Sequence, residues 1–407
     1  MPSNMTMLQL NVTSIHVLNK SSLQNLRPLL RFSLIQSPLH TIHPLAFYAT
    51  PQLRSIKLSL NKLVALPGKV FSPLADLEQL FLDANQLESI PSGMLRGLTK
   101  LKHLELNSNR ISRLDPGVFD GLSSLTFLNL GGNLISALAP GTFRSLTALR
   151  WLMLYTNRLE VLGDDALFGH LTELVDLKIH SNNITRLAPK VFWSLGKLSI
   201  LTLSGNQLQE IPEKSFYHMP KLEKLTLWTN PLRSLPAHLM GHTPFMQEFY
   251  LFSTTLTTVP GNLFANMTGL LRLNLHLNPQ LQELPAELFH DLPKLKILSI
   301  KYNDLRTLHP DLFSNLNSLS VLNLNGNKLK LLFEQGPEFV HHHPHQGWVS
   351  VWTLPLDAAH FGFLMTSHIL LMVTGALLIF ASMYGMYRLE KVMRELRVET
   401  KDDRRAL

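Results

Sequence analysis

The 407-residue chain contains no cysteine. Disulfides, thiolate-bound zinc, iron–sulfur clusters and cysteine nucleophiles are therefore excluded as sources of stability or activity. Charge is sparse, at 16 % of residues, and the net charge of +8 arises without a basic run. Up to Tyr384 the chain carries 30 basic and 24 acidic residues, a balance that does not imply a nucleic-acid partner. The strings G-x-S-x-G, H-E-x-x-H, G-x-x-x-x-G-K-[ST] and G-x-G-x-x-G do not occur, so the sequence assigns no catalytic residue, no metal and no cofactor. Against these gaps stand 45 % hydrophobic residues and 21 phenylalanines, a composition that folds.

In place of motifs there is a period. Leu101-x-x-Leu104-x-Leu106-x-x-Asn109-x-Ile111 recurs along the chain, its ladder position falling at 13, 37, 61, 85, 109, 133, 157, 182, 206, 230, 254, 278, 303 and 327. Eleven of the thirteen intervals are 24 residues and two are 25, the extra residues preceding Asn182 and Asn303. The first three leucines alternate with period two and so line one side of a short strand of four or five residues. The asparagine amide both donates and accepts, and can pair backbone groups where the chain leaves the strand. Thr13, Ser37 and Thr254 offer only a hydroxyl there, which predicts a weaker ladder at those turns. About ten residues later an apolar residue, such as Phe47, Phe71, Phe119, Phe143, Phe192, Phe216, Phe264 or Phe313, fills the back of the core. No unit can bury its own leucines, so stability comes from stacking. The spacing resembles the leucine-rich repeat pattern and implies an α/β solenoid over residues 1–329, curved, with a parallel sheet on its concave face.

After Leu329 the period stops. Residues 330–360 read as a juxtamembrane linker, in which the run His341-His342-His343-Pro344-His345 lacks an element that would aim several imidazoles at one ion. The 24 uncharged residues 361–384 would form a single transmembrane helix of about 36 Å. Residues 385–407 form a short basic tail, seven basic residues against five acidic, which places the tail in the cytoplasm and the N-terminus outside the plasma membrane. In this tail Leu389, Val392, Met393 and Leu396 oppose Lys391, Arg394 and Arg397, a basic amphipathic helix suited to anionic lipid or calmodulin. Glycosylation acceptors at Asn4, Asn11, Asn19, Asn183 and Asn266 all lie on the side assigned as outside. Asn183 directly follows a ladder asparagine, a placement that threatens its use. A disulfide-free chain would otherwise suggest an intracellular protein, so the missing cysteines and missing signal peptide are read as marks of a longer precursor with capped ends.

Alternation within each strand also identifies a binding face. Side chains between the inward leucines include Trp151, Met153 and Tyr155, then Asp176, Lys178 and His180, then Lys224, Thr226 and Trp228, then Glu248, Tyr250 and Phe252, with Phe81 and Phe127 nearer the N-terminus. Clustered aromatics with a few charges are the composition of a protein-binding hot spot. The adjacent carboxylates Asp164 and Asp165 read as a solvated loop rather than a cation site.

Three strings narrow the resemblance: Pro2-Ser3-Asn4-Met5-Thr6, Leu77-Glu78-Gln79-Leu80-Phe81-Leu82-Asp83, and Leu275-His276-Leu277-Asn278-Pro279-Gln280-Leu281-Gln282-Glu283-Leu284-Pro285. With the order of repeats, stalk, span and basic tail, they are similar to the glycoprotein V family of repeat subunits in the platelet glycoprotein Ib-IX-V complex. This resemblance implies a non-catalytic adhesion receptor subunit in platelets or thrombocytes, acting in blood coagulation. Its implied partners are the glycoprotein Ib and IX subunits and an adhesive protein such as von Willebrand factor or collagen. The family's cysteine-rich caps have no counterpart here, and residues 331–360 contain no Arg or Lys for a thrombin-cleaved stalk. A neuronal-adhesion or innate-recognition repeat receptor, or a carrier like the carboxypeptidase N large subunit, shares the repeats and differs in ligand.

Overall fold

The computed structural model of the protein describes residues 4–330. Residues 331–360 of the linker with the histidine run, the apolar segment 361–384, and the tail with the amphipathic pattern read in it lie outside the described residues. Among the described residues no helix is long and apolar enough to cross a membrane.

Fourteen strands, one per unit, form a single parallel sheet in chain order from Met7–Asn11 to Val321–Asn323. The register advances with the repeat, so that Phe127 lies opposite Trp151, Trp151 opposite Asp176 and Lys224 opposite Glu248. Only Met7–Asn11 and Arg31–Ile35 reach five residues; the others have three, fewer than the sequence suggested. The chain turns early because the residue before every ladder position has a positive φ: Thr156 at 52°, Ser181 at 58°, Leu277 at 55°, and glycine at 132, 205 and 326. Eleven of these fourteen positions are not glycine, although left-handed backbone costs such residues about 1–2 kcal/mol each. The hydrogen bonds of the ladder outweigh that cost.

The expected α/β alternation is not what forms. The return segments are chains of turns, with Leu74 N–H donating to Phe71 O (3.0 Å) and Leu146 N–H to Phe143 O (3.0 Å), and among the described residues a single 3-10 helix spans Pro310–Phe313. Each return is too short to offset the cost of nucleating an α-helix, and Pro67-Gly68, Pro116-Gly117 and Pro140-Gly141 interrupt several. The fold is a β-solenoid.

Leucines of successive units, such as Leu101, Leu104 and Leu106, are fully buried behind the sheet. Behind them runs a column of phenylalanines. Phe119, Phe143, Phe168, Phe192 and Phe216 stack at 6.0–6.2 Å, and Phe264, Phe289 and Phe313 at 6.2–6.3 Å. The column is interrupted where Leu95 and Met240 take the same position. At the first unit Met5, Leu8 and Leu10 are only partly buried.

The asparagine ladder has the geometry its amide allows. Asn85 Nδ2 donates to Leu58 O (2.9 Å), Leu82 O (3.0 Å) and Asp83 O (3.3 Å), while its Oδ1 accepts from Leu63 N–H (3.1 Å). Thr254 uses its hydroxyl on Asn278 Oδ1 (2.7 Å), and Leu232 N–H, without an amide oxygen to meet, donates to Asn230 O (2.8 Å). Ser37 Oγ donates to Ile35 O (3.1 Å) and accepts from Thr13 N–H (2.9 Å), where an asparagine amide would also donate to the carbonyl of the preceding unit. The weaker rungs foreseen at these positions are therefore present as missing bonds.

Candidate functional site: the open face of the sheet

Three-residue strands place one inward leucine between two outward side chains, and parallel pairing in register turns those side chains into columns. Because strands lie about 4.8 Å apart, rings in neighbouring units stack face to face. Two aromatic rows result. In the N-terminal row, Lys57 Nζ lies 4.9 Å above the Phe81 ring, Phe81 is 4.9 Å from His103, and His103 stacks on Phe127 at 4.3 Å with planes 1° apart. In the C-terminal row Trp228 stacks on Phe252 at 5.3 Å and Phe252 on His276 at 4.3 Å. Between them Tyr155 stacks on His180 at 5.3 Å. Gly131, one unit earlier in that column, leaves room for the Tyr155 ring, since a Cβ there would lie within 2.7 Å of three ring atoms.

Charge is distributed unevenly along this face. Glu248 accepts from Lys224 Nζ and Arg272 Nη1, both at 2.9 Å, and Lys224 also lies 5.3 Å above the Tyr250 ring. The Lys224 hydrogen bond is the main cause holding the Glu248 carboxyl below its ordinary range, while burial raises the Tyr250 phenol. Burial and then Lys178 lower the His180 imidazole, and burial and then Lys301 lower that of His276 to about 4. His276 Nδ1 is buried without a hydrogen-bond partner.

Most of the residues read from the sequence as a partner face do share the sheet's outer side. Phe81, Phe127, Trp151, Tyr155, Lys178, His180, Tyr250 and Phe252 are half-buried by their neighbours, and Trp228 is exposed. Three expectations need correction, the first being Thr226, which is 4 % exposed and closed off within the sheet. Met153 is 7 % exposed and belongs to the packed surface rather than to an accessible face. Asp176 is also 7 % exposed, closed in between Trp151 and Ile200 on the flanking strands, and burial raises its pKa despite Lys178 Nζ at 3.6 Å. The sequence reading missed His103 and His276, which join phenylalanines into rows; the same alternation applied to units five and twelve would have found them.

Asp164 and Asp165 act as loop caps: Asp164 Oδ1 accepts from Ala166 N–H (3.0 Å) and Asp165 Oδ1 from Lys190 N–H (2.7 Å). Among the described residues no cluster of His, Asp and Glu is arranged to hold a metal ion. The five acceptor asparagines Asn4, Asn11, Asn19, Asn183 and Asn266 are exposed, so the neighbouring ladder does not bury Asn183.

Sequence and structure comparisons agree on the repeat. The family described as Leucine rich repeat matches overlapping segments 31–87, 51–111, 76–135, 100–159, 147–208, 172–232, 197–255 and 272–329. No curated protein matches. Among solved structures, Toll in the Toll–Spätzle complex of Drosophila superposes with a TM-score of 0.72 at 25 % identity, covering 82 % of this chain and 46 % of that one. TLR13 in a complex with ssRNA13 gives 0.56 at 25 %, covering 79 % and 54 %. A leucine-rich repeat protein of Leptospira interrogans gives 0.61 at 25 %, covering 83 % and 86 %. The chain thus spans about half the length of the Toll and TLR13 chains.

Proposed function

Because the chain belongs to the leucine-rich repeat family, we propose that its solenoid is a non-catalytic receptor-type ectodomain that binds a protein on the open face of the sheet. The observation that carries this reading is the pair of stacked aromatic rows, Phe81–His103–Phe127 and Trp228–Phe252–His276. Rings held in register are pre-organised, so a partner covers them at little cost in side-chain entropy. The likeness to Toll, solved with Spätzle, supports a protein partner. Replacing Trp151, Tyr155 and Trp228 by Ala removes one large side chain from the strand column and two from the column that runs from Tyr155 through Trp228, and should weaken partner capture by about 2 kcal/mol or more while leaving far-UV circular dichroism unchanged. Undiminished capture by the triple variant would dispose of the proposal.

The apolar segment 361–384 and the basic residues after it support a single-pass anchor with the solenoid outside the plasma membrane. Protease protection in intact cells tests this orientation. The resemblance to the glycoprotein V family further supports a subunit of an adhesion complex of the platelet Ib-IX-V kind. The corresponding test is co-precipitation of the full chain with glycoprotein Ib and IX, together with expression restricted to thrombocytes; absence of both would leave a receptor of the same fold with another ligand.

A further inference from the structure

The N-terminal part of the same face differs from the aromatic rows. Strands Arg31–Ile35 and Ser55–Lys57 are paired so that Arg31 lies beside Ser55 and Ser33 beside Lys57. The four outward side chains form a square, with cations on one diagonal and hydroxyls on the other, the diagonal neighbours about 7–8 Å apart at the backbone. They line a cleft of about 260 Å³ together with Met7, Gln9 and Gln79.

The polar groups of this cleft lack protein partners. Ser33 and Ser55 are 6 % and 7 % exposed, and their hydroxyls, which have no protein hydrogen bond among the described residues, open to solvent in the cleft rather than being sealed. Arg31 and Lys57 form no ion pair there, in contrast to Lys224 and Arg272, which share Glu248. Lys57 lies over the Phe81 ring, which supports the ammonium without neutralising it. The nearby carboxylate of Asp83 accepts from Ser59 Oγ at 2.6 Å. Two hydroxyls without protein partners and two unneutralised cations lining one solvent-open cleft are the donor set of an oxyanion site.

We infer that this square receives a carboxylate from an acidic segment of the protein partner, next to an apolar residue seated on Met7. Two cations suit one or two carboxylates; a nucleic-acid strand would require a longer track of them. The inference rests on the reading of this face as a protein-binding surface, and it names the chemistry of one end of the ligand.

The test uses the full chain and a fluorescein-labelled peptide of alternating glutamate and leucine, followed by fluorescence anisotropy. Binding should weaken at least about tenfold in Arg31→Gln/Lys57→Gln and less in Ser33→Ala/Ser55→Ala, with Lys224→Gln unaffected. The charge-reversed Arg31→Glu/Lys57→Glu variant should instead take a lysine–leucine peptide. Equal binding of a glutamine–leucine peptide, indifference to Arg31→Gln/Lys57→Gln, or tighter binding of a single-stranded oligonucleotide would overturn the assignment. So would inorganic sulfate occupying the cleft in a chain that ignores the peptide. The Trp151, Tyr155 and Trp228 triple variant should keep its peptide affinity. Loss of partner capture in that variant with peptide binding intact separates the two readings, and peptide failure with capture intact sinks only this one.

Discussion

Units three to nine and units ten to thirteen share a period but not a construction. From Asn61 to Asn206 the ladder position is always asparagine, and the next residue's N–H reaches back one unit, as Gln86 N–H does to Leu63 O (2.9 Å) and Arg158 N–H to Ile135 O (2.9 Å). In the later stretch Pro231 and Pro279 have no N–H to give, Thr254 replaces asparagine, and Met240 interrupts the phenylalanine column. The amide bonds shift as well: Asn278 Oδ1 accepts from Thr254 N–H and Asn303 Oδ1 from Asn278 N–H, whereas from Asn85 to Asn230 each Oδ1 serves the residue two positions further on. The gap between matched segments 197–255 and 272–329 falls in this same stretch. It also carries Trp228, Tyr250, Phe252 and His276. The irregular units thus present the densest aromatic face, which fits the rule that local violations of a folding pattern concentrate where a surface is used.

Breaking the regular stretch should have the largest effect. Asn133 Nδ2 donates to Leu106 O and Leu130 O at 3.0 Å each and to Gly131 O at 3.4 Å, and its Oδ1 accepts from Ile111 N–H at 3.1 Å. Asn133→Ala leaves these buried groups unpaired and should cost about 3–4 kcal/mol, read from urea unfolding, against about 1 kcal/mol for Thr254→Ala. Equal losses would show that the two ladders do not differ energetically.

Acid should act on the later units. The folded imidazole of His276 titrates at about 4 against 6.5 unfolded, so it stays neutral where the unfolded chain binds a proton. Its contribution is full above pH 6.5 and is lost as the pH falls towards 4. His276→Phe continues the stack on Phe252 without that loss. The wild type should therefore lose about 1 kcal/mol more than the variant between pH 7 and pH 4.5, a magnitude reduced for the ring's partial exposure. Parallel pH profiles would refute it.

Repairing the irregular stretch should give smaller gains. Thr254→Asn supplies an amide that can donate to Leu227 O and Leu251 O and accept from Leu232 N–H, and should add about 1 kcal/mol, with slower hydrogen exchange at Leu232. Met240→Phe rejoins Phe216 to Phe264 and should add about 0.5 kcal/mol, seen as a raised urea midpoint. A loss in either variant would mean that these turns are shaped around their present residues.

Much of this molecule was legible in its sequence because a period is a strong signal. The ladder positions, the inward leucines and the phenylalanine column follow from spacing alone, and the hydroxyl at Thr254 correctly marked a weak rung. The left-handed residue before each ladder position was not legible, because its occupants range from Gly132 to Thr156 to Leu277 and share no chemistry. The α/β assignment failed for a related reason: return segments of turns and of helices have similar apolar spacing, and only their length against the cost of a helical nucleus decides between them. For the binding face, alternation gave the column of each side chain but not its depth. Met153 and Asp176 are sealed by neighbours 24 or 25 residues away. The square of Arg31, Ser33, Ser55 and Lys57 escaped notice because no aromatic residue belongs to it.

Each ladder amide looks backwards. Asn109 closes the carbonyls of its own turn, but it also meets Leu82 O and Leu87 N–H of the unit before it. A unit is therefore finished by its successor, and the solenoid has a direction. As a ribosome delivers the chain, every new turn would lock the one already made, and assembly can follow synthesis a single step behind. Unwinding from the C-terminal end is the reverse of that process, each departing turn opening the one it had closed.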